Sequence, residues 1–230
     1  MLRLASVVLF LTVGMAHSEI VSAKYDQPTT RYAHGVFGDT VEYGALLMTL
    51  KNGKVLRVNL PESRVFEDIS PRVIDLDGDG APEVVVIETH VNQGAQLAIY
   101  GEAGKITATP HIGRTHRWLA PIGAADLDGD GYVELAYIDR PHLAKLLKVW
   151  RYKNGKLKLV AEAGNLTNHR FGDDYISGGI RDCGNGPEMV TANANWSDIM
   201  VSRFDGTKIT AQSVGLYTGL KSIKRAMSCR

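Results

Sequence analysis

The sequence predicts an all-β fold: a β-propeller of four-stranded antiparallel blades, about four of them, with a period of about 51 residues. Three observations point there. Lys54, Lys105, Lys156 and Lys208 each follow an apolar stretch and a Gly-containing turn and each opens another, at separations of 51, 51 and 52 residues. Two acidic stretches, DLDGDGAPE at 75–83 and DLDGDGYVE at 126–134, recur at the same step of 51. Their flanks, PRVID before and EVVVIETH after the first, are β-branched runs that read as strands.

Each unit divides into strands A to D. In the second unit these fall at 72–74, 83–90, 96–100 and 105–110; in the third at 122–125, 133–138, 146–152 and 156–162; in the fourth at 177–180, 188–192, 199–204 and 208–214. The Asn-Gly or Gly-containing stretch before each marker lysine joins C to D as a hairpin. One period back, the first unit's strands B to D are expected at 33–38, 45–50 and 55–60, with strand A supplied by residues 20–25 or by the C-terminal end. Closing the ring would protect strand edges. Five blades, or an open array completed by a partner, are the alternatives.

Composition narrows the setting. The chain has 230 residues, 44% of them hydrophobic, and a formal net charge of +1, with no basic excess to suggest nucleic acid as a partner. Arg3, the apolar run from Leu4 to Val13 and the small residues up to Ser18 have the layout of a signal peptide. Residues 1–18 are therefore expected to be removed after Ala16 or Ser18, leaving one domain at 19–230, exported to the periplasm or beyond, without a transmembrane segment. The two cysteines, Cys183 and Cys229, form an even set suited to an oxidising compartment, and a disulfide between them would tie the C-terminal tail to the fourth unit.

The acidic loops carry the clearest chemistry. Each places carboxylates at positions 1, 3, 5 and 9, with glycines at 4 and 6 permitting a tight turn. A Ca²⁺ ion takes six to eight oxygens at roughly 2.3–2.6 Å, which one short loop supplies if alternate side chains converge. The expected ligands are Asp75, Asp77, Asp79, Glu83 and the Ala81 carbonyl in one loop, and Asp126, Asp128, Asp130, Glu134 and the Tyr132 carbonyl in the other, for two ions. An EF-hand is excluded, because position 12 holds Val86 or Tyr137 instead of glutamate. The fourth unit reads RDCGNGPE and the first YDQPTTRY at the equivalent places, so no ion is expected in either. DxDGDGxxE between short apolar strands, repeated, resembles the FG-GAP or VCBS repeat of integrin-like and bacterial exported proteins. The resemblance implies a β-propeller.

In such a blade the A–B and C–D turns share one face and the B–C and D–A connections the other. The D–A connections repeat a small motif: Ser63-Arg64-Val65, His116-Arg117-Trp118 and His169-Arg170-Phe171. With His142 from a B–C connection, Arg117, Trp118 and Arg170 are the candidate ligand-binding residues, for a carbohydrate, a small acidic ligand or a protein partner. The competing reading has the arginines bracing blades and the aromatics plugging the channel. Neither a GxSxG elbow nor a phosphate-binding Gly-rich loop is present, and the histidines form no helical i, i+4 pair. The expected function is a non-enzymatic binding or scaffold module. Its rival is an enzyme acting on polysaccharide or phosphoesters through His and Arg on the loop-rich face.

Overall fold

The computed structural model describes residues 19–230, so the expected leader lies outside the described residues. The chain is an all-β propeller whose strands fall into successive antiparallel units. The first unit holds β1 (Ile20–Thr29), β2 (Glu42–Leu50) and β3 (Val55–Asn59); the second holds β4 (Arg64–Phe66), β5 (Arg72–Ile74), β6 (Glu83–His90), β7 (Gly94–Gly101) and β8 (Gly104–Ala108). The third comprises β9 (Leu119–Ala125), β10 (Glu134–Asp139), β11 (Leu146–Lys153) and β12 (Lys156–Ala163). The fourth comprises β13 (Leu166–Thr167), β14 (Gly179–Asp182), β15 (Pro187–Asn193), β16 (Asp198–Phe204) and β17 (Ile209–Leu216), followed by helix α1 (Leu220–Met227). Units one and two form one sheet through β4, which meets β2 at Tyr43 and Phe66 and then pairs with β6.

Continuous apolar runs become central strands because both of their faces are covered. On β6, Val84 and Val86 pack with Leu46 and Met48 of β2 in one cluster. The intervening Val85 and Ile87 pack with Leu135 and Tyr137 of β10 in the next. On β10 the alternation continues, with Ala136 and Ile138 joining Met189 and Phe204 of the fourth unit. The period-2 geometry of a strand thus assigns neighbouring residues to different cores. Outer strands β3 and β17 are mostly exposed, and Arg57 on β3 is a charge that discourages pairing with another chain.

The two ends of the array are finished differently. On the outer side of unit one, Arg57 pairs with Asp26 and donates to Asn59 at 2.8 Å, a polar lattice across β1 and β3. At the other end Ile223 and Ala226 of α1 cover Val190, Ile199 and Val201. Lys221, Lys224 and Arg225 face solvent, the last two suiting the negative end of the helix dipole.

Three expectations are corrected. Residues 33–38 are a loop, not strand B of the first unit; Gly35 and Gly38 have φ of 66° and 93°, which an extended strand does not accommodate. Strand B there is β1, which pairs with β2 along nearly its whole length, leaving that unit three-stranded. The C-terminal end is helical and contributes no strand A. Finally, the inner strands of units two and four are split. Thus β4 and β5 pair with successive parts of β6, and β13 and β14 with successive parts of β15. Arg64 and Val65 therefore lie in a strand, and His169-Arg170-Phe171 lies in an insertion between two half-strands, not in D–A connections.

Candidate metal loops and ligand cavity

Each acidic loop is anchored by its second residue. Leu76 and Leu127 are buried in the inter-unit cores, which turns the flanking aspartates toward solvent. In the first loop Asp75 accepts from the amides of Gly78 (2.8 Å) and Gly80 (3.0 Å), and Glu83 accepts from that of Leu76 (3.0 Å). The second loop repeats this with Asp126 on Gly129 and Gly131, and Glu134 on Leu127. Gly78 and Gly80 need their freedom, with φ of 74° and 82°. As a result Asp75, Asp77 and Glu83 each bring an oxygen within 4.8 Å of the others, as do Asp126, Asp128 and Glu134. Asp79 and Asp130 stand outside these triads and turn back to the amides of Ala81 (2.7 Å) and Tyr132 (3.0 Å). Burial pushes the Glu83 carboxyl up, and the nearby Asp77 and Asp79 charges add to it. An all-oxygen set of crowded, partly buried carboxylates fits a hard divalent cation.

The two loops differ in one cation. Arg151 of β11 stands opposite Glu134 in register and reaches Glu134 (2.6 Å), Asp128 (2.5 Å) and Asp130 (2.8 Å). The first loop has no such arginine, since β7 ends beside it in Tyr100 and Gly101. In the fourth unit the equivalent glutamate, Glu188, is held by Arg181 at 2.6 Å and by Arg203. There Cys183 and Cys229 form a disulfide, 46 residues apart in sequence, while Arg181 also bonds the Ala226 carbonyl of α1. Covalent and ionic clamps thus hold the terminal helix on the last unit. Reducing this bond should lower stability by about 2–4 kcal/mol. Thiol titration of unreduced, unfolded protein should find no reactive thiol, and two per chain would exclude the bond.

The opposite face gathers loops of irregular length. Loop 30–41 runs from the first unit over the centre, burying Tyr32 and Val36; the Gly172 amide donates to the Val36 carbonyl at 2.9 Å. Phe37 packs edge-on against Trp118 and His169. Trp118 is itself buried and donates from Nε1 to the Glu67 carbonyl at 2.8 Å, which makes it chiefly a brace. Beside this plug lies a cavity of about 240 Å³, lined by His34, His116, Arg117, Trp118, Arg140, Pro141, His142, Leu143 and Phe171. Three of the four candidate ligand residues therefore meet. The fourth, Arg170, stacks instead on Trp196 (4.5 Å) and Tyr217 (5.1 Å).

Four histidines scattered in sequence converge here. His34 and His116 stack at 5.1 Å, and His142 Nε2 lies 2.9 Å from His169 Nδ1. His34 Nδ1 donates to the buried Glu67 carboxylate at 2.6 Å, whose other oxygen accepts from Thr89 at 2.6 Å. Behind them Glu42 is buried, and its carboxyl is pushed up by burial first and then by Glu67, Asp39 and Asp68. Burial likewise lowers His142 to about 4, helped by His169, His34 and Lys145. Of these, Glu67 was not singled out from sequence, where charged residues on both sides of the Val65-Phe66 pair give no sign that its carboxylate is buried.

Residues 75–137 match the family model of the FG-GAP-like repeat. No curated protein matches the chain. Among solved structures, the chain is similar to the crystal structure of the exotype rhamnogalacturonan lyase YesX, at 15% identity and a TM-score of 0.49. The likeness covers 86% of this chain and 48% of that one, so this chain spans about half the length of that protein. The matched segment, 75–137, contains both acidic loops and the strands between them.

Proposed function

We propose that the chain is an exported propeller module that binds one Ca²⁺ in each acidic loop and uses the opposite face for non-enzymatic binding of a ligand. The observation that carries this reading is the pair of carboxylate triads, each converging within 4.8 Å on one face. The disulfide accords with export, and no helix among the described residues is long and apolar enough to cross a membrane. An enzyme at the histidine-rich face is the second reading, favoured by the His34–Glu67 pair beside a cavity that holds two arginines.

Calorimetry with calcium should show two ions per chain, in unequal steps. A guanidinium already among the carboxylates opposes a divalent ion, so the second loop should bind at least about tenfold more weakly than the first, and Arg151→Gln should narrow the gap. Each ion present at 100 times its dissociation constant should add about 2.7 kcal/mol. An unchanged melting temperature in chelator, together with no calcium uptake, would refute the metal reading.

A further inference from the structure

We infer that the cavity between His34, Arg117, Arg140, His142 and Phe171 is a binding site for a single-ring sugar acid of the hexuronate class; this rests on the binding-module reading above.

Size comes first. At about 240 Å³ the cavity is smaller than a drug-sized site and suits a ligand of one substituted six-membered ring. Its rim exposes Phe171 and Leu143, 60% and 62% accessible, apolar surface suited to the C–H face of a sugar. Charge selects an anion. Arg117 makes only a bond to the His116 carbonyl and has no ion-pair partner among the described residues. Arg140 is held on Asp139 through Nε (2.8 Å) and Nη2 (3.1 Å), which fixes its guanidinium beside the cavity. A guanidinium without a carboxylate partner is suited to bidentate capture of one from a ligand.

The histidine tautomers select hydroxyl groups. The Asp173 carbonyl can only accept, so His169 donates to it from Nε2 (3.0 Å), leaving His169 Nδ1 as acceptor for His142 Nε2–H. Neutral His142 then keeps Nδ1 as a lone-pair acceptor with no donor among the described residues. His34 donates from Nδ1 to Glu67, which leaves Nε2 as its ring nitrogen for a ligand hydroxyl. Guanidinium donors for a carboxylate and imidazole nitrogens for hydroxyls, around one ring-sized space, describe a hydroxylated ring acid.

The test is calorimetric titration of the calcium-loaded protein with glucuronate, glucose and benzoate. Glucuronate should bind saturably at one site. Glucose, lacking the carboxylate, and benzoate, lacking the hydroxyls, should each bind at least about tenfold more weakly, as should glucuronate to Arg117→Gln and His142→Phe. Arg117→Gln removes one backbone contact and should keep the wild-type melting temperature, so it carries the test even if His142→Phe does not fold. Absence of saturable glucuronate binding at about 50 mM, benzoate binding equally well, or indifference to Arg117→Gln would overturn the assignment. Calcium uptake in the same samples separates this failure from failure of the metal reading.

Discussion

Gly178→Ala should lose about 5 kcal/mol of stability, enough to lower the melting temperature by roughly 10–20 °C. Gly178 closes the insertion between β13 and β14, with φ of 84°. A Cβ there would lie 2.0 Å from the Val190 carbonyl oxygen and 2.9 Å from its carbon, both backbone atoms of the adjacent strand β15. Neither can yield without opening the β14–β15 ladder, so steric overlap adds to the conformational penalty. Gly184, with φ of 93° and nothing near its missing side chain, is the control; alanine there should cost only about 1 kcal/mol. Equal losses in the two variants, measured by thermal melts, would show that close approach is not what residue 178 serves. The insertion it closes delivers His169 and Phe171 to the cavity, so a partly folded Gly178 variant should also bind ligand poorly.

Glu88→Ala should cost about 4 kcal/mol. Its carboxylate is fully buried and accepts from Arg64 (2.7 Å), Lys105 (2.6 Å), Tyr100 (2.6 Å) and Gln96 (3.2 Å). Truncation leaves two cations and a phenol without their common partner. Burial alone would raise the Glu88 carboxyl, but the bonds from Lys105 and Tyr100 and the charges of Lys105 and Arg64 outweigh it and hold the carboxyl below its ordinary range. A folded-state value below the unfolded one means that the stabilisation is fully present above about pH 4.5 and is lost as pH falls through the folded value. Wild-type melts should therefore steepen in acid, and the Glu88→Ala variant should be flatter across that range. Parallel acid profiles would mean that this network does not control acid stability.

Much of the repeat was legible in sequence because its signals are local. Residues 72–74 and 83–90 are strands to the residue, since a β-branched run bounded by an Asp-Gly turn leaves little choice. The splits in the inner strands were not legible: the 51-residue period is satisfied whether residues 64–74 form one strand or two. The first unit misled for a related reason, because its longer connection shifts strand B out of period. Helix α1 did carry a signal, Leu220, Ile223 and Met227 at helical spacing, but it falls outside the repeat and was read as tail. Within the acidic loops the spacing identified the triads, whereas Arg151 becomes their neighbour only through cross-strand register. The cavity was half legible. Arg117 was found as a repeated polar position and His142 in a B–C connection, but the meeting of His34 with Glu67 depends on how loop 30–41 folds back, and no periodicity encodes that.

The assignment of adjacent residues on β6 and β10 to different cores bears on how the chain folds. No interior unit owns a complete core: Val84 and Val85 are neighbours in sequence, yet each contributes to burial with a different unit. An interior unit formed alone would leave one or both faces of its central strands in water, so its formation is unfavourable until a neighbour docks. Folding is then a nearest-neighbour process, nucleated at a pair of units and propagated outward, and the free energy of opening any interior unit includes two interfaces instead of one. The first and fourth units add local supports of their own, the polar lattice across β1 and β3 in the one and the clamped helix in the other.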